Sequence, residues 1–351
     1  MTTRSPAGMP DGGTTGASAA SPRILVIRRD NIGDLVCATP LFAALRKQHP
    51  RAHIAALVNS YNAGVLDGNP DLDAVHAYTK LKHRMPGESL LATVIASWRL
   101  FSALRAPPFD HVILAKSGFD RHGLAMARRI RARNIIGFAP QEPVDQDMHE
   151  VEIMMQLGAR IGVTEPPGPV RVFAAPDRVA RWRSRLPDPQ RRWIALHISA
   201  RKPDKTWPAE AFVEMARRVS AEPATGIVLL WSPGQADDPR HPGDDARAAA
   251  IADAVGTGVL LVPARTESLE DLIAALSLCR AFIGSDGGAM HIAAGLGLPI
   301  VALFENIASK QSHWHPWRVP YEIVSPDGGD FSAIPVDRVE QAWYRLSGRV
   351  S

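Results

Sequence analysis

The stretch 283-IGSDGGAMHIAAGLGLPIVALF-304 sets an aspartate, two glycines and a histidine between two apolar runs. The first run ends in Ser-Asp-Gly-Gly, and the second begins after Gly297 and Pro299. Between them, Met290, Ile292, Ala293 and Ala294 suit a short helix. The pattern reads as strand, tight turn, helix, strand, which is the repeating unit of a parallel α/β sheet. A helix that opens on Gly287-Gly288 leaves backbone N–H groups free at its start, a natural seat for phosphate.

The same rhythm runs outward in both directions. Before the stretch, apolar runs at 193-WIALHIS-199, 226-GIVLLWS-232 and 259-VLLVPA-264 alternate with helical patterns near 208–220, 244–255 and 268–279. An earlier half repeats it, with strands expected at 23-RILVIR-28, 53-HIAALV-58, 74-AVHAY-78, 111-HVILAK-116 and 134-NIIGFA-139. Helices are expected there near 34–48, 88–105, 120–131 and 147–160. Alternation of this kind predicts parallel sheets covered on both faces. Two such units predict an α/β protein of two doubly wound domains facing a central cleft, with ligands at the carboxyl ends of the strands. Residues 163–192 are rich in proline and mixed charge and read as a linker with one short strand and one short helix. A last helix near 336–348 is expected to cross back onto the first domain. The expected organisation is a disordered tail at 1–21, domains at 22–165 and 193–330, a linker at 166–192 and a terminal helix at 331–351.

Composition fits this plan. The chain has 351 residues, 46% hydrophobic and 22% charged, as expected of globular domains. No apolar run reaches the roughly 18 residues that span a bilayer, and residues 1–21 lack the apolar core of a signal peptide. The two cysteines, Cys37 and Cys279, sit in apolar helical patterns and read as reduced core residues. A cytoplasmic protein is expected. The net charge is +4, with basic clusters at 80-KLKHR-84 and 121-RHGLAMARRIRAR-133. They are solvated helix faces or contacts to an anionic partner, and the second reading allows a peripheral seat on the cytoplasmic face of an inner membrane. No zinc-ligand set, stacking motif or DNA-binding helix pair supports nucleic acid as a partner.

Three segments carry candidate chemistry. In 28-RRDNIGDLVCATPLFAALR-46 a strand ends, Asn31 and Gly33 make a turn, and Asp34 opens a helix. Asp34 either complements the helix dipole or faces the cleft as a general base toward a hydroxyl. Thr39-Pro40 kinks that helix or restarts it. In 197-HISARKPDKTWPAEAF-212 a strand runs into a loop bearing Arg201, Lys202 and Lys205, cations suited to an anionic ligand or simply to solvent. Trp207 reads as a packing residue. In the opening stretch, the charge of Asp286 disfavours a bare phosphate site, so it accepts sugar hydroxyls or caps the helix. Gly287 and Gly288 let backbone approach a ligand, and His291 donates to an oxygen or is structural.

Taken in order, these pieces resemble bacterial glycosyltransferase family nine, the ADP-heptose:lipopolysaccharide heptosyltransferases. The resemblance runs from about residue 23 through 24-ILVIRRDNIGDLVCATPLFAALRKQHP-50, 68-GNPDLDAV-75, 149-HEVEIMMQLG-158, 205-KTWPAEAF-212 and 281-AFIGSDGGAMHIAAGLGLPIVALF-304. It implies a GT-B fold of two Rossmann-like domains, the first on the acceptor side and the second binding the donor. It implies inverting sugar transfer from a nucleotide diphosphate to a lipopolysaccharide core, with no metal and no cofactor beyond the nucleotide-sugar substrate. By position, Asp34 resembles the general base and Lys205 the lysine that steadies the donor phosphates. Asp286 resembles the donor-binding carboxylate, with Gly287, Gly288 and His291 around it and Arg201 and Lys202 on the facing loop. Asn31, Gly33 and Lys116 are the expected acceptor contacts. One departure stands out: many members carry Ser or Thr after the aspartate, where this chain has Gly287. Alternatives are a relative using another nucleotide sugar for capsule, O-antigen or glycolipid, a same-fold epimerase, and a non-catalytic nucleotide-sugar-binding module. Retention of Asp34, Lys205 and Asp286 argues against the last.

Overall fold

The computed structural model describes residues 21–79, 90–238 and 242–350. The expected tail, apart from its last residue, and the basic cluster at 80–84 lie outside the described residues.

The first sheet is built from β1 (Arg23–Ile27), β2 (His53–Asn59), β3 (Ala74–Tyr78), β4 (His111–Leu114) and β5 (Asn134–Ile136). Its order is β3-β2-β1-β4-β5, with every pairing parallel. Crossovers are made by α1 (Ile32–Cys37) and α2 (Thr39–Gln48), then α3 (Leu90–Ala103) and α4 (Arg121–Ile130). Helix α5 (Glu150–Ala159) follows β5. The helix expected over 34–48 is two helices. Pro40 has no N–H to give to the preceding turn, so the chain closes α1 at Ala38 and restarts with Pro40 in the first turn of α2. The Thr39 hydroxyl donates to the Val36 carbonyl at 2.7 Å across the break.

The second sheet contains β6 (Arg192–His197), β7 (Thr225–Leu230), β8 (Leu261–Ala264), β9 (Ala281–Ser285), β10 (Ile300–Leu303) and β11 (Tyr321–Val324). Its order is β11-β10-β9-β6-β7-β8, again parallel throughout. Its helices are α7 (Ala209–Ser220), α8 (Asp245–Val255), α9 (Leu269–Leu276), α10 (Gly288–Gly295), α11 (Ala308–Trp314) and α12 (Val336–Val350). The central strands are buried along their length apart from half-buried end residues in β1, β2 and β6, as parallel strands covered on both faces must be.

Two expectations change. The segment after residue 163 forms α6 (Pro176–Arg183) but no strand. Val172 donates its N–H to the Gly295 carbonyl at 2.9 Å, so its backbone caps the end of α10 instead of joining a sheet edge. The last helix stays with the second sheet. Val339, Ala342, Trp343 and Leu346 of α12 are buried among Phe212, Met215 and Val219 of α7 and Val301 and Leu303 of β10. Arg218 of α7 pairs with Asp337 and Glu340 of α12 at 2.6 and 2.7 Å. The amphipathic face of α12 matches the nearby flank of its own sheet, so it has no reason to cross over.

Both sheets have a topological switch point, where successive crossovers leave in opposite directions. In the first it lies between β1 and β4, and in the second between β6 and β9. The crevices at the carboxyl ends of those strands are where such sheets take ligands.

Candidate active site

The candidate residues collect at those two crevices. At the first, β1 ends in Arg28, and α1 begins after Asn31. Asp34 sits in the first turn of α1 with 15% of its side chain exposed. One carboxylate oxygen accepts from the Asn31 N–H at 3.0 Å, and the other from Arg28 Nη2 at 2.7 Å. Asp34 therefore does cap its helix. Each oxygen keeps a further lone pair, so capping does not prevent it from accepting a proton.

Arg28 is buried and is the hub of this crevice. Besides Asp34 it meets Glu150 at 2.8 Å and Asp30 at 3.8 Å, and it donates to the Ala115 carbonyl at 2.6 Å. Burial works against its charge, but the three carboxylates outweigh burial and hold the guanidinium more basic than usual. Glu150, at the start of α5, is buried too. Burial raises its pKa, yet the Arg28 charge and hydrogen bonds from His313, Ser117 and Arg28 hold it at about 2. The His313 contact, Nε2 to Oε2 at 3.0 Å, reaches from α11 and so ties the second sheet's layer to the first. Lys116 lies half-buried at the end of β4, beside Ser117, whose hydroxyl donates to Glu150.

At the second crevice, β6 runs into the loop bearing Arg201, Lys202 and Lys205. Lys205 Nζ meets Glu305 at 2.8 Å with 11% of its side chain exposed, and Lys310 contacts the same carboxylate oxygen. The Ser285 hydroxyl donates to the Lys205 carbonyl at 3.1 Å, which ties this loop to the end of β9. Burial and the neighbouring Lys205 ammonium push Lys310 down to about 8; Lys202 adds to this lowering, while Asp286 opposes it. Asp286 is half-buried and Gly287 exposed at the mouth of α10. A Cβ added at Gly287 would meet nothing within 4 Å, so a Ser or Thr side chain would have room there.

The two crevices meet through α1 and α10, and Gly33 and Gly288 are what allow it. A Cβ on Gly33 would lie 2.5 Å from His291 Cδ2, and one on Gly288 would lie 3.0 Å from Ile32 Cβ. Only glycine permits that approach at Gly33. Gly33 therefore serves the contact between the layers, and Gly288 faces Ile32. His291 is buried in the same contact, with Nδ1 3.8 Å from Cys37 Sγ and its ring edge-on to Trp314. Burial lowers its pKa, although Asp286, Asp34 and Glu150 all oppose the shift. Asp34 of the first layer and Asp286 of the second thus act on one imidazole. Arg201, exposed on its loop, acts on the half-exposed Tyr61 phenol of the first layer. Trp207 is buried and donates to the Ile334 carbonyl at 2.9 Å, a packing role. Both cysteines are buried and free.

Sequence reading passed over Arg28, Glu150, Glu305 and Lys310. Arg28 carries a signal in hindsight, as a charge directly after the apolar run 24-ILVI-27; Glu150, between His149 and Val151-Glu152, carries none. Among the described residues, no group of three or more His, Cys, Asp or Glu is placed to hold a metal ion. None of their helices is long and apolar enough to cross a membrane.

Two parallel doubly wound sheets, with a carboxylate at the switch point of one and a cation loop and glycine-opened helix at that of the other, make the GT-B arrangement, and the family match makes the chain a glycosyltransferase. The model of glycosyltransferase family 9 (heptosyltransferase) matches residues 97–332. Lipopolysaccharide heptosyltransferase 3 of Escherichia coli is 23% identical over 320 residues, covering 86% of this chain and 88% of the relative. The crystal structure of a family 9 glycosyltransferase from Veillonella parvula superposes with a TM-score of 0.79 at 19% identity, covering 93% of this chain and 97% of that one. The E. coli heptosyltransferase WaaC solved with ADP gives 0.74 at 17% identity, covering 92% and 99%. The chain belongs to glycosyltransferase family 9.

Proposed function

We propose that this enzyme moves a heptose from ADP-heptose to a lipopolysaccharide-core or related glycan acceptor, inverting the anomeric carbon without a metal. The observation that carries the reading is the pairing of the Asp34 carboxylate with the Lys205–Asp286 crevice across the α1–α10 contact. The relative that was solved with ADP supports the choice of nucleotide.

The steps follow from the residues. The acceptor hydroxyl gives its proton to Asp34 as its oxygen bonds to the anomeric carbon. The bond from that carbon to the donor phosphate breaks on the opposite face, which inverts the centre. Charge then develops on the departing ADP. The free N–H groups at the start of α10 are preorganised to stabilise it, and Lys205 joins them. Lys205 can turn from Glu305 to phosphate without stranding that carboxylate, because Lys310 stays on it. Asp286 accepts from donor hydroxyls, and Arg201 and Lys202 complete the anionic seat. Asn31 and Lys116 line the acceptor side. We further take 22–165 as the acceptor domain and 193–330 as the donor domain.

The room beside Gly287 supports one alternative, a donor carrying another sugar or nucleotide. The test is incubation of the purified enzyme with ADP-heptose and a heptose-deficient core acceptor in EDTA. The expected product is the acceptor plus one heptose with the opposite anomeric configuration, and ADP-heptose alone stays unchanged. Conversion of the nucleotide sugar without acceptor, or transfer that needs added metal, would overturn the reading.

A further inference from the structure

Helix α3 is half anchored and half bare. Its C-terminal end is held to the first layer: Phe101 is buried beneath the Arg129 guanidinium, and the Arg105 side chain just beyond it donates to the Arg129 carbonyl at 2.8 Å. The preceding turns expose Leu91 at 68%, Val94 at 55%, Ile95 at 41% and Trp98 at 60%. Spacings of three and four place these four on one face of the helix. An aligned apolar stripe ending in an exposed tryptophan is more than scattered surface hydrophobicity.

The neighbouring surface says what the stripe meets. Helix α4 packs beside α3, and with its C-terminal turn it exposes Arg121, Arg128, Arg129 and Arg131. Neither helix contains an Asp or a Glu. Apolar side chains with an interfacial tryptophan, flanked by arginines, are what a helix needs to lie in the headgroup layer of an anionic bilayer. A second copy of this chain fits less well, because a two-fold contact would bring one arginine row against another.

We propose that the exposed face of α3, flanked by the arginines of α4, docks the enzyme onto an anionic phospholipid surface. The surface belongs to the first layer, which also carries Asp34, so docking would hold that crevice near a lipid-borne acceptor. The docking itself does not depend on which acceptor is used.

The test is flotation of the full-length protein with vesicles of phosphatidylcholine alone or mixed with phosphatidylglycerol. Binding is expected only to the mixed vesicles and weaker in high salt. It should fall about tenfold or more in a Leu91→Ser, Ile95→Ser, Trp98→Ser variant, and also in Arg121→Gln, Arg128→Gln, Arg131→Gln. Circular dichroism and ADP binding should stay unchanged in both variants. Equal flotation of variant and wild type, or no flotation at all, would overturn the proposal. So would a wild-type dimer that the serine variant dissociates.

Discussion

Asp34→Ala is expected to lower kcat by about 10²–10⁴-fold while leaving the Kd for ADP unchanged. The position of the carboxylate separates the two effects. It belongs to the first layer, whereas the cations expected to hold the nucleotide lie on the second. Loss of the base should therefore reach the chemical step and not donor binding. Asp34→Asn keeps the cap, because its amide oxygen can still accept from the Asn31 N–H, and it gives up only the acceptor facing Arg28. Both variants should lose turnover alike, and steady-state kinetics beside calorimetric ADP titration would show it. If ADP affinity falls as far as turnover does, Asp34 is a packing or donor-binding residue.

Glu150→Ala is expected to cost about 3–5 kcal/mol of stability, because it leaves the Arg28 charge buried with one carboxylate fewer. The variant also changes the acid response. The folded pKa of Glu150, about 2, lies below its ordinary value of 4.5. Its contribution is therefore fully present above about pH 4.5 and is lost as pH falls through 2. The buried His149 and His291 and the half-buried His197 act earlier. Burial pushes His149 to about 3 and His197 to about 4, and it lowers His291. All three are lowered from the ordinary value of about 6.5, so each contribution is fully present above about pH 6.5 and is lost as pH falls toward the folded values. Guanidinium midpoints of the wild type should fall from pH 6.5 downward and more steeply below 4.5. Those of Glu150→Ala should start lower and fall less steeply in the second stage, to which Asp73, Asp110, Glu142 and Asp245 also contribute. Parallel curves with equal midpoints would show that Glu150 carries no such load.

The sequence made the repeating parts legible and concealed the relations between them. Strands such as 226-GIVLLWS-232 announce themselves because burial on both faces demands unbroken apolar runs. The four-residue edge strand 321-YEIV-324 and the polar helix 308-ASKQSHW-314 carry no such pattern and were passed over. The loops at the strand ends were found because glycine, lysine and aspartate are conspicuous after apolar runs. What those side chains touch was not legible. Gly33 read as an acceptor-side turn residue, yet its lack of a Cβ serves His291, which lies 258 positions later in the chain (291 − 33). Arg28 looked like the end of a strand, and only the fold brings Glu150 and His313 to it. Pairings across such separations depend on sheet order, which local periodicity does not encode.

If the second crevice is an ADP seat built on Lys205, ADP should stabilise the fold through that lysine. Purified protein would be melted with ADP, GDP, UDP and CDP in EDTA, beside Lys205→Ala. A ligand that binds only the folded state raises the midpoint by mass action. A rise with ADP alone, lost in the variant, is the expected result. A rise with none of the four, or an equal rise with ADP in Lys205→Ala, would contradict it.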